Sequence, residues 1–238
     1  MPALRHSFQP YDLVERHTVV ARLLARELAG TQATVLDVGG RRGLLAEYTP
    51  LPVTAINPDG TGDLRLEGER LPFADDAFDA VVTIDTLEHV PPTQRLPFLL
   101  ECARVARRLL LVAAPFGSPE HMRREQELNE LHRSARGHYH KYLNEHVQNG
   151  LPAPDEIAAL AAAISHRKYD LFYAGDFEWQ ARRFAQSLSA AGQPRLVAHA
   201  LHFYTRITSA AILHPIRLES TANARTNRFY LVLLLARG

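Results

Sequence analysis

The segment VLDVGGRRG, residues 35–43, places a carboxylate and three glycines directly after a short apolar run. A glycine has no Cβ, so Gly39 and Gly43 let the backbone come close to a bound molecule, and free N–H groups at the start of a helix bind polar or anionic groups. With Asp37 and Gly40, they predict a ligand-binding turn between a strand and a helix. Other α/β proteins also carry glycines after their first strand, so this motif alone does not name the ligand.

Polar residues also follow a later apolar run, DAVVTI at 79–84. Asp85 and Thr86 come directly after it. Open parallel sheets bind ligands at the carboxyl ends of their strands, so we expect both residues to line the same crevice as the glycine turn. The alternative is that they only cap the end of the strand through hydrogen bonds.

The segments around these residues alternate between strand and helix patterns. Strands are predicted at 34–38, 53–56, 79–84 and 109–113, and helices at 44–46 and 95–105. Before them, Leu13, His17 and Leu24 lie at helical spacing and predict a leading helix that ends near Gly30. This alternation predicts an α/β fold, with a mostly parallel central sheet and helices on both faces.

The pattern changes after Gly117 to charged and histidine-rich helical segments. It predicts a helical cap inserted at about 118–165, a strand at 169–173 and a late helix at about 177–190. Two further strands are predicted at 201–207 and 229–235. We therefore expect an N-terminal helical segment over 1–30, followed by one domain over 31–238.

The composition excludes several classes of protein. The 238 residues carry a net charge of +1, without the basic excess that nucleic-acid binding requires, so no nucleic acid is expected as substrate. No apolar run approaches the roughly 20 residues of a membrane span. The single cysteine, Cys102, excludes an internal disulfide and is interpreted as a small buried side chain. A cytoplasmic location fits.

A second segment, GERLPFADDAFDAVVTIDTLEHVPP at 68–92, follows the glycine motif. Together the two resemble class I S-adenosylmethionine-dependent methyltransferases of the type 11-like group, over about 34–117. The resemblance implies a Rossmann-like fold and S-adenosylmethionine as the cofactor. The cofactor-binding residues that it implies are Asp37, Gly39, Gly40, Gly43, Glu67, Gly68, Asp85 and Thr86. Of these, Glu67 and Gly68 would meet the adenine, and Asp37 the amino acid portion.

The sequence departs from the family pattern at three places. Arg41 stands where the family has its middle glycine, and Asn57 stands where most members have an acid that binds the ribose hydroxyls. Asn57 can still form hydrogen bonds to a diol, and Asp59 is the substitute. The connection from Asn57 to Leu64 is too short for a crossover helix, so the third strand is expected to be vestigial or the local topology altered.

Two histidines are candidates for a general base. His89 follows the strand that ends at residue 84, and His121 follows the strand at 109–113. Imidazole can take a proton from an acceptor hydroxyl near neutral pH. A structural hydrogen-bonding role is the alternative for both.

The cap is rich in histidine and aromatic residues. His138 and His140 with Glu145 could hold a metal, but their spacing matches no established ligand pattern, so no metal is expected. Six aromatic residues could line an acceptor pocket or pack within the cap: Tyr139, Tyr142, Phe172, Tyr173, Phe177 and Trp179.

These observations predict a methyltransferase that acts on a small molecule, a lipid or a glycan. A dinucleotide oxidoreductase is disfavoured because the turn does not have the GxGxxG spacing. The alternative is a degenerate member of the family that binds the cofactor or a partner without turnover, which Arg41 and Asn57 favour. The missing crossover helix would leave one face of the sheet open, so a homodimer is a further expectation.

Overall fold

The computed structural model describes residues 9–190 and 215–236, which form one seven-stranded sheet in the order β3-β2-β1-β4-β5-β7-β6. The strands are β1 (Val35–Val38), β2 (Val53–Asn57), β3 (Leu64–Arg65), β4 (Phe78–Ile84), β5 (Ala106–Pro115), β6 (His166–Asp176) and β7 (Thr226–Leu235). Neighbours from β3 to β5 pair in parallel, and β7 is antiparallel to both β5 and β6. The predicted mostly parallel α/β sheet is confirmed.

Six α-helices accompany the sheet in the described part of the chain. They are α1 (Tyr11–Glu27), α2 (Pro92–Val105), α3 (Pro119–Arg136), α4 (Lys141–Asn149), α5 (Pro154–Ala163) and α6 (Phe177–Ala190). Helices α3, α4 and α5 occupy the segment where the cap was predicted, and α6 packs against α3. None of the helices in this part of the chain is long and apolar enough to span a bilayer.

Strand β5 shows why the sheet is covered on both faces. Leu109 and Leu111 pack in a cluster with residues of α1 such as Leu24, whereas Leu110 packs in a second cluster with residues of α2 and α5. Side chains alternate across a strand, so a continuous apolar run is what a strand between two helical layers requires.

The helix expected after the glycine turn, at 44–46, is absent, and that prediction was wrong. Only a 3₁₀ turn, Leu45–Glu47, forms there. Pro50 and Pro52 follow within a few residues, and each disfavours a helical residue before it, so the chain passes directly into β2.

The third strand is vestigial, as the short connection predicts. β3 has two residues and pairs in parallel with β2 through Leu64 beside Ile56. A tight turn replaces the crossover helix, and the Asp63 carboxylate accepts a hydrogen bond from the backbone N–H of Ala55 at 2.9 Å. The strand predicted at 201–207 lies outside the described residues.

Candidate active site

A cleft of 620 Å³ opens at the carboxyl ends of β1, β2 and β4. Its lining includes Asp37, Gly39, Gly40, Arg41, Asn57, Asp59, Asp85, Thr86, Glu88 and His89, together with Arg16 of α1, Glu125 of α3, Tyr142 and His146 of α4, and Arg228 of β7. Of the residues predicted to bind the cofactor, Gly43, Glu67 and Gly68 are outside this lining. These three residues are exposed to solvent. Gly43 has a φ of +73° and Gly68 a φ of +78°.

The two consecutive glycines of the turn are required by what packs against them. A Cβ on Gly39, whose φ is +86°, would lie 2.2 Å from Oγ1 of Thr86. A Cβ on Gly40 would lie 2.0 Å from Oδ2 of Asp37. The glycines therefore let the carboxylate of β1 and the hydroxyl after β4 lie directly against the turn.

Asp37 is a buried carboxylate with an unused acceptor. Its residue is 2% exposed, and Oδ1 has no hydrogen-bond partner. Burial raises the pKa of Asp37 to about 7. Buried polar atoms are nearly always hydrogen-bonded, so a carboxylate oxygen left in this state beside a cleft is suited to a donor on a ligand.

Asn57 supports the glycine turn. Its Nδ2 donates to the carbonyls of Gly39 at 2.7 Å and Gly40 at 3.3 Å, and its Oδ1 accepts from the backbone of Asp59 at 3.2 Å. The side-chain amide that was predicted to meet a ribose diol is therefore engaged within the protein. Asp59 lines the cleft and stays exposed, and hydrogen bonds from Thr61 lower its pKa. Arg41, the departure from the glycine pattern, is exposed at the rim.

Asp85 is held by two arginines that the sequence did not point to. Arg228 donates to it through Nε at 2.8 Å and Nη2 at 2.7 Å, and Nη1 of Arg16 lies 2.5 Å from Oδ2. Burial opposes ionisation, but the charges of Arg228 and Arg16 lower the pKa of Asp85 to about 2. Both carboxylate oxygens are thus occupied within the protein, by arginine side chains of α1 and β7 rather than by the strand-end hydrogen bonds considered as the alternative.

The sequence gives only a weak indication that Arg16 and Arg228 are buried at the site. Arg16 stands directly before the buried His17 of α1, and Arg228 is the third residue of β7, directly before the continuous apolar run of that strand. An arginine that is only 3% exposed in its side chain needs a buried carboxylate partner, but the sequence does not show which one.

His89 and His121 have different positions. His89 lines the cleft, and its Nδ1 lies 2.8 Å from Oε2 of Glu145. His121 is 4% exposed, its ring stacks on Phe177 at 4.6 Å, and its Nδ1 lies 2.9 Å from the carbonyl of Phe116. The structure does not bring His121 to the cleft of Asp37.

Glu88 and His146 were missed by the sequence reasoning. Glu88 is 1% exposed, and burial, followed by the charge of Asp85, raises its pKa to about 8. His146, on α4, enters the cleft with its Nδ1 3.0 Å from Oε2 of Glu125. The motif LEHV contains Glu88, but nothing in the sequence shows that α4 packs on the turn that follows β4.

The histidines and aromatic residues that were predicted to hold a metal or line an acceptor pocket also have different positions in the structure. His140 is the N-cap of α4, where its Nδ1 accepts from the backbone N–H of Leu143 at 3.5 Å, and His138 is exposed. Of the six aromatic residues, Tyr142 lines the cleft, and Phe177 and Trp179 line a neighbouring cavity of 480 Å³.

Comparison with known proteins gives a family and a fold. Residues 36–109 match the sequence model of a family described as a methyltransferase domain. A SAM-dependent methyltransferase from Thermotoga maritima has a TM-score of 0.54 and 14% identity, with 95% of this chain and 93% of that chain covered. YcgJ from Bacillus subtilis has a TM-score of 0.51 and 16% identity, with coverages of 93% and 99%.

The plantazolicin methyltransferase BpumL, solved in complex with SAH, has a TM-score of 0.52 and 11% identity, with 95% of this chain and 85% of that chain covered. At such identities the solved structures show the fold alone. No curated protein matches the sequence.

The sheet order, the glycine turn and the family match together define a class I methyltransferase domain with a Rossmann-like fold. The family match covers residues 36–109 of this chain, and S-adenosylmethionine is the cofactor that such a domain implies. The cleft fits this group, because the glycine pair leaves room beside the backbone and Oδ1 of Asp37 offers an unused acceptor.

Proposed function

We propose that the protein transfers a methyl group from S-adenosylmethionine to a small-molecule, lipid or glycan acceptor. The observation that carries the proposal is Asp37, a buried carboxylate whose Oδ1 has no partner, beside a glycine pair at the edge of a 620 Å³ cleft. When bound, the cofactor supplies a methyl group on a sulfonium. The protein has to align this group with the acceptor and exclude water.

The cofactor side of the cleft is formed by the glycine turn and the residues at the end of β2. Asp37 accepts hydrogen bonds from the amino acid portion, and Gly39 and Gly40 let the backbone pass beneath it. Asn57 keeps this turn in place, so Asp59 is the residue that faces the ribose. Glu67 and Gly68, which are exposed and outside the lining of the cleft, are assigned to the adenine by the family resemblance alone.

The acceptor side is formed by the turn after β4 and by α4. Of the two candidate bases, only His89 lines the cleft, and Glu145 beside it favours a fixed ring orientation. A homodimer through the open face near β3 stays a prediction, which light scattering tests.

The test is isothermal titration of the protein with S-adenosylmethionine and S-adenosylhomocysteine. We expect micromolar binding by the wild type and a loss of more than about tenfold in Asp37→Asn, equivalent to about 1.4 kcal/mol. Asp79→Asn is the matched control, because Asp79 bonds to Thr34 at the opposite end of the sheet. Absence of binding at millimolar ligand would exclude a methyltransferase.

The second candidate is a family member that binds the cofactor without turnover. Two observations favour it: the amide of Asn57 is engaged with the turn, and a 3₁₀ turn replaces the first helix after it. Tight cofactor binding, together with no methyl transfer to any of a panel of hydroxyl and amine acceptors, would support this candidate.

A further inference from the structure

Three side chains of the cleft lie close together, and their hydrogen-bonding atoms are not all paired. One donor atom each of Glu88, His89 and His146 lies within 4.8 Å of the others. Glu88 is 1% exposed, and both its Oε2 and the Nε2 of His146 are buried without a hydrogen-bond partner. Leaving buried acceptors unpaired is unfavourable, so this convergence indicates a ligand between them.

In each of the two histidines, Nδ1 lies close to a glutamate carboxylate. Nδ1 of His146 lies 3.0 Å from Oε2 of Glu125 and donates to it, which leaves the lone pair of Nε2 directed elsewhere. Nδ1 of His89 lies 2.8 Å from Oε2 of Glu145, although the two atoms are not aligned as a hydrogen bond. A carboxylate in this position fixes the tautomer and the orientation of a metal-ligating histidine.

The backbone holds the three side chains together. Glu88 and His89 lie on the 3₁₀ turn Leu87–His89 after β4, and α4, which carries His146, packs on that turn. Nδ2 of Asn149, at the end of α4, donates to the carbonyls of Glu88 at 3.2 Å and His89 at 3.1 Å. The three donors are thus placed by regular elements before any ligand binds, as a preorganised site requires.

We propose that Glu88, His89 and His146 bind one divalent transition-metal ion, with Zn²⁺ as the reference. Two imidazole nitrogens and one carboxylate suit Zn²⁺ or Fe²⁺, whereas Mg²⁺ and Ca²⁺ prefer oxygen ligands. Within the described residues, this is the group of histidines and carboxylates whose possible ligand atoms converge within 4.8 Å, and it differs from the His138–His140 pair with Glu145 considered from the sequence.

The ion defines the acceptor chemistry, a step that rests on the proposed function. Glu88, His89 and His146 would supply three ligands, so an ion held by them could also take an acceptor hydroxyl. It would make that hydroxyl more acidic, so that the proton goes to solvent, and the oxygen would form the bond to the methyl carbon as the bond from carbon to sulfur breaks and S-adenosylhomocysteine leaves. His89 then acts as a ligand rather than as a base.

The test is a titration of the chelator-treated full chain with Zn²⁺, in the absence of cofactor. We expect one site per chain, and we expect Glu88→Gln and His146→Asn each to weaken binding by about 100-fold or more, since each removes a ligand. His138→Asn removes an exposed histidine of the same cap and is the matched control. Glu88→Gln keeps the side-chain volume, and circular dichroism checks its folding.

Three outcomes overturn the proposal: no Zn²⁺ binding by the wild type, binding that survives in both ligand variants, or binding that is lost in His138→Asn. Visible absorption of a Co²⁺-loaded sample gives a second readout and should disappear in Glu88→Gln. Binding of S-adenosylhomocysteine is measured on the same samples. A wild type that binds S-adenosylhomocysteine but not Zn²⁺ overturns this inference alone, and a wild type that binds Zn²⁺ but not S-adenosylhomocysteine overturns the methyltransferase alone.

Discussion

Glu15, on α1, is a carboxylate that the fold encloses almost completely, with 0% exposure. Its Oε1 accepts from the hydroxyl of Tyr230 at 3.4 Å and lies 3.9 Å from Nη1 of Arg228, whereas Oε2 has no partner. Burial raises the pKa of Glu15 to about 7, because the single distant arginine does not compensate for the loss of water. The fold therefore favours the protonated form.

Glu15→Gln is expected to stabilise the protein at alkaline pH and not at acidic pH. The wild-type carboxyl contributes its full stability below its usual pKa of 4.5 and loses it as the pH rises through about 7. The difference between these pKa values corresponds to roughly 3 kcal/mol at most. Urea unfolding at pH 5 and pH 8 measures the effect. An equal difference between variant and wild type at both pH values would contradict this prediction.

Asp37 also has a pKa raised to about 7 by burial, but here the expected readout is ligand binding. A cationic amino group near Oδ1 favours the ionised carboxylate, so binding below pH 7 has to remove a proton from the protein. We predict that affinity for S-adenosylhomocysteine rises between pH 6 and pH 8, by up to about tenfold per pH unit in the lower part of that range.

The matched control for this pH effect is Asp37→Asn. The ligand's own amino group titrates equally with both proteins, so the weaker binding that remains in the variant should lack the additional rise. Calorimetry in buffers of different ionisation enthalpy counts the protons released. A flat wild-type profile would show that Asp37 does not meet the amino group.

At the scale of the elements, the glycine turn depends on contacts between β1, β2 and the residue after β4. Gly40→Ala places a Cβ 2.0 Å from Oδ2 of Asp37, so the carboxylate has to move. We expect a destabilisation of about 1–3 kcal/mol from this overpacking and a loss of cofactor affinity. Gly30→Ala, at φ +74° with no atom within 4 Å, should cost about 1 kcal/mol in strain and leave binding unchanged.

Titration calorimetry and urea unfolding of the two glycine variants separate the two effects. If Gly30→Ala weakened cofactor binding as much as Gly40→Ala, the contact with Asp37 would not be the reason why the turn requires glycine at residue 40. If neither variant changed binding, the cofactor would lie elsewhere in the cleft.

The ion cluster around Asp85 joins α1, β4 and β7. Arg228→Met leaves the buried carboxylate with Arg16 alone, and removing one partner of a buried pair costs about 3–5 kcal/mol. Arg225→Met is the control, since Arg225 is 63% exposed and lies 3.6 Å from Asp176. An exposed pair of this kind contributes about 1 kcal/mol or less. Equal denaturant midpoints for the two variants would refute the role of the cluster.

Across the whole molecule, the sequence predicted the fold better than the site. The apolar runs of β4 and β5 and the helical spacing in α1 give different periods, and these periods determine the sheet and its layers. Gly39 and Gly40 could be predicted as part of a ligand-binding turn because they directly follow the apolar run of β1 in the sequence. The partners of Asp85 and Glu88 were not found, because Arg228 and His146 are distant in sequence and only the packing of β7 and α4 brings them close.

The residues that line the cleft come from elements far apart in the sequence, so a bound cofactor is expected to stabilise the whole fold against unfolding. Its walls come from α1, β1, β2, the turn after β4, α4 and β7, so a bound cofactor contacts elements that separate on unfolding. A ligand that binds only the folded state at 100 times its Kd stabilises it by about 2.7 kcal/mol.

For a chain of this size, that stabilisation raises the Tm by roughly 5–10 °C. Differential scanning calorimetry with S-adenosylhomocysteine measures the shift, and Asp37→Asn at the same ligand concentration should show much less of it because its Kd is higher. An increase in Tm that is equal in wild type and variant would mean that the stabilising ligand binds away from the glycine turn.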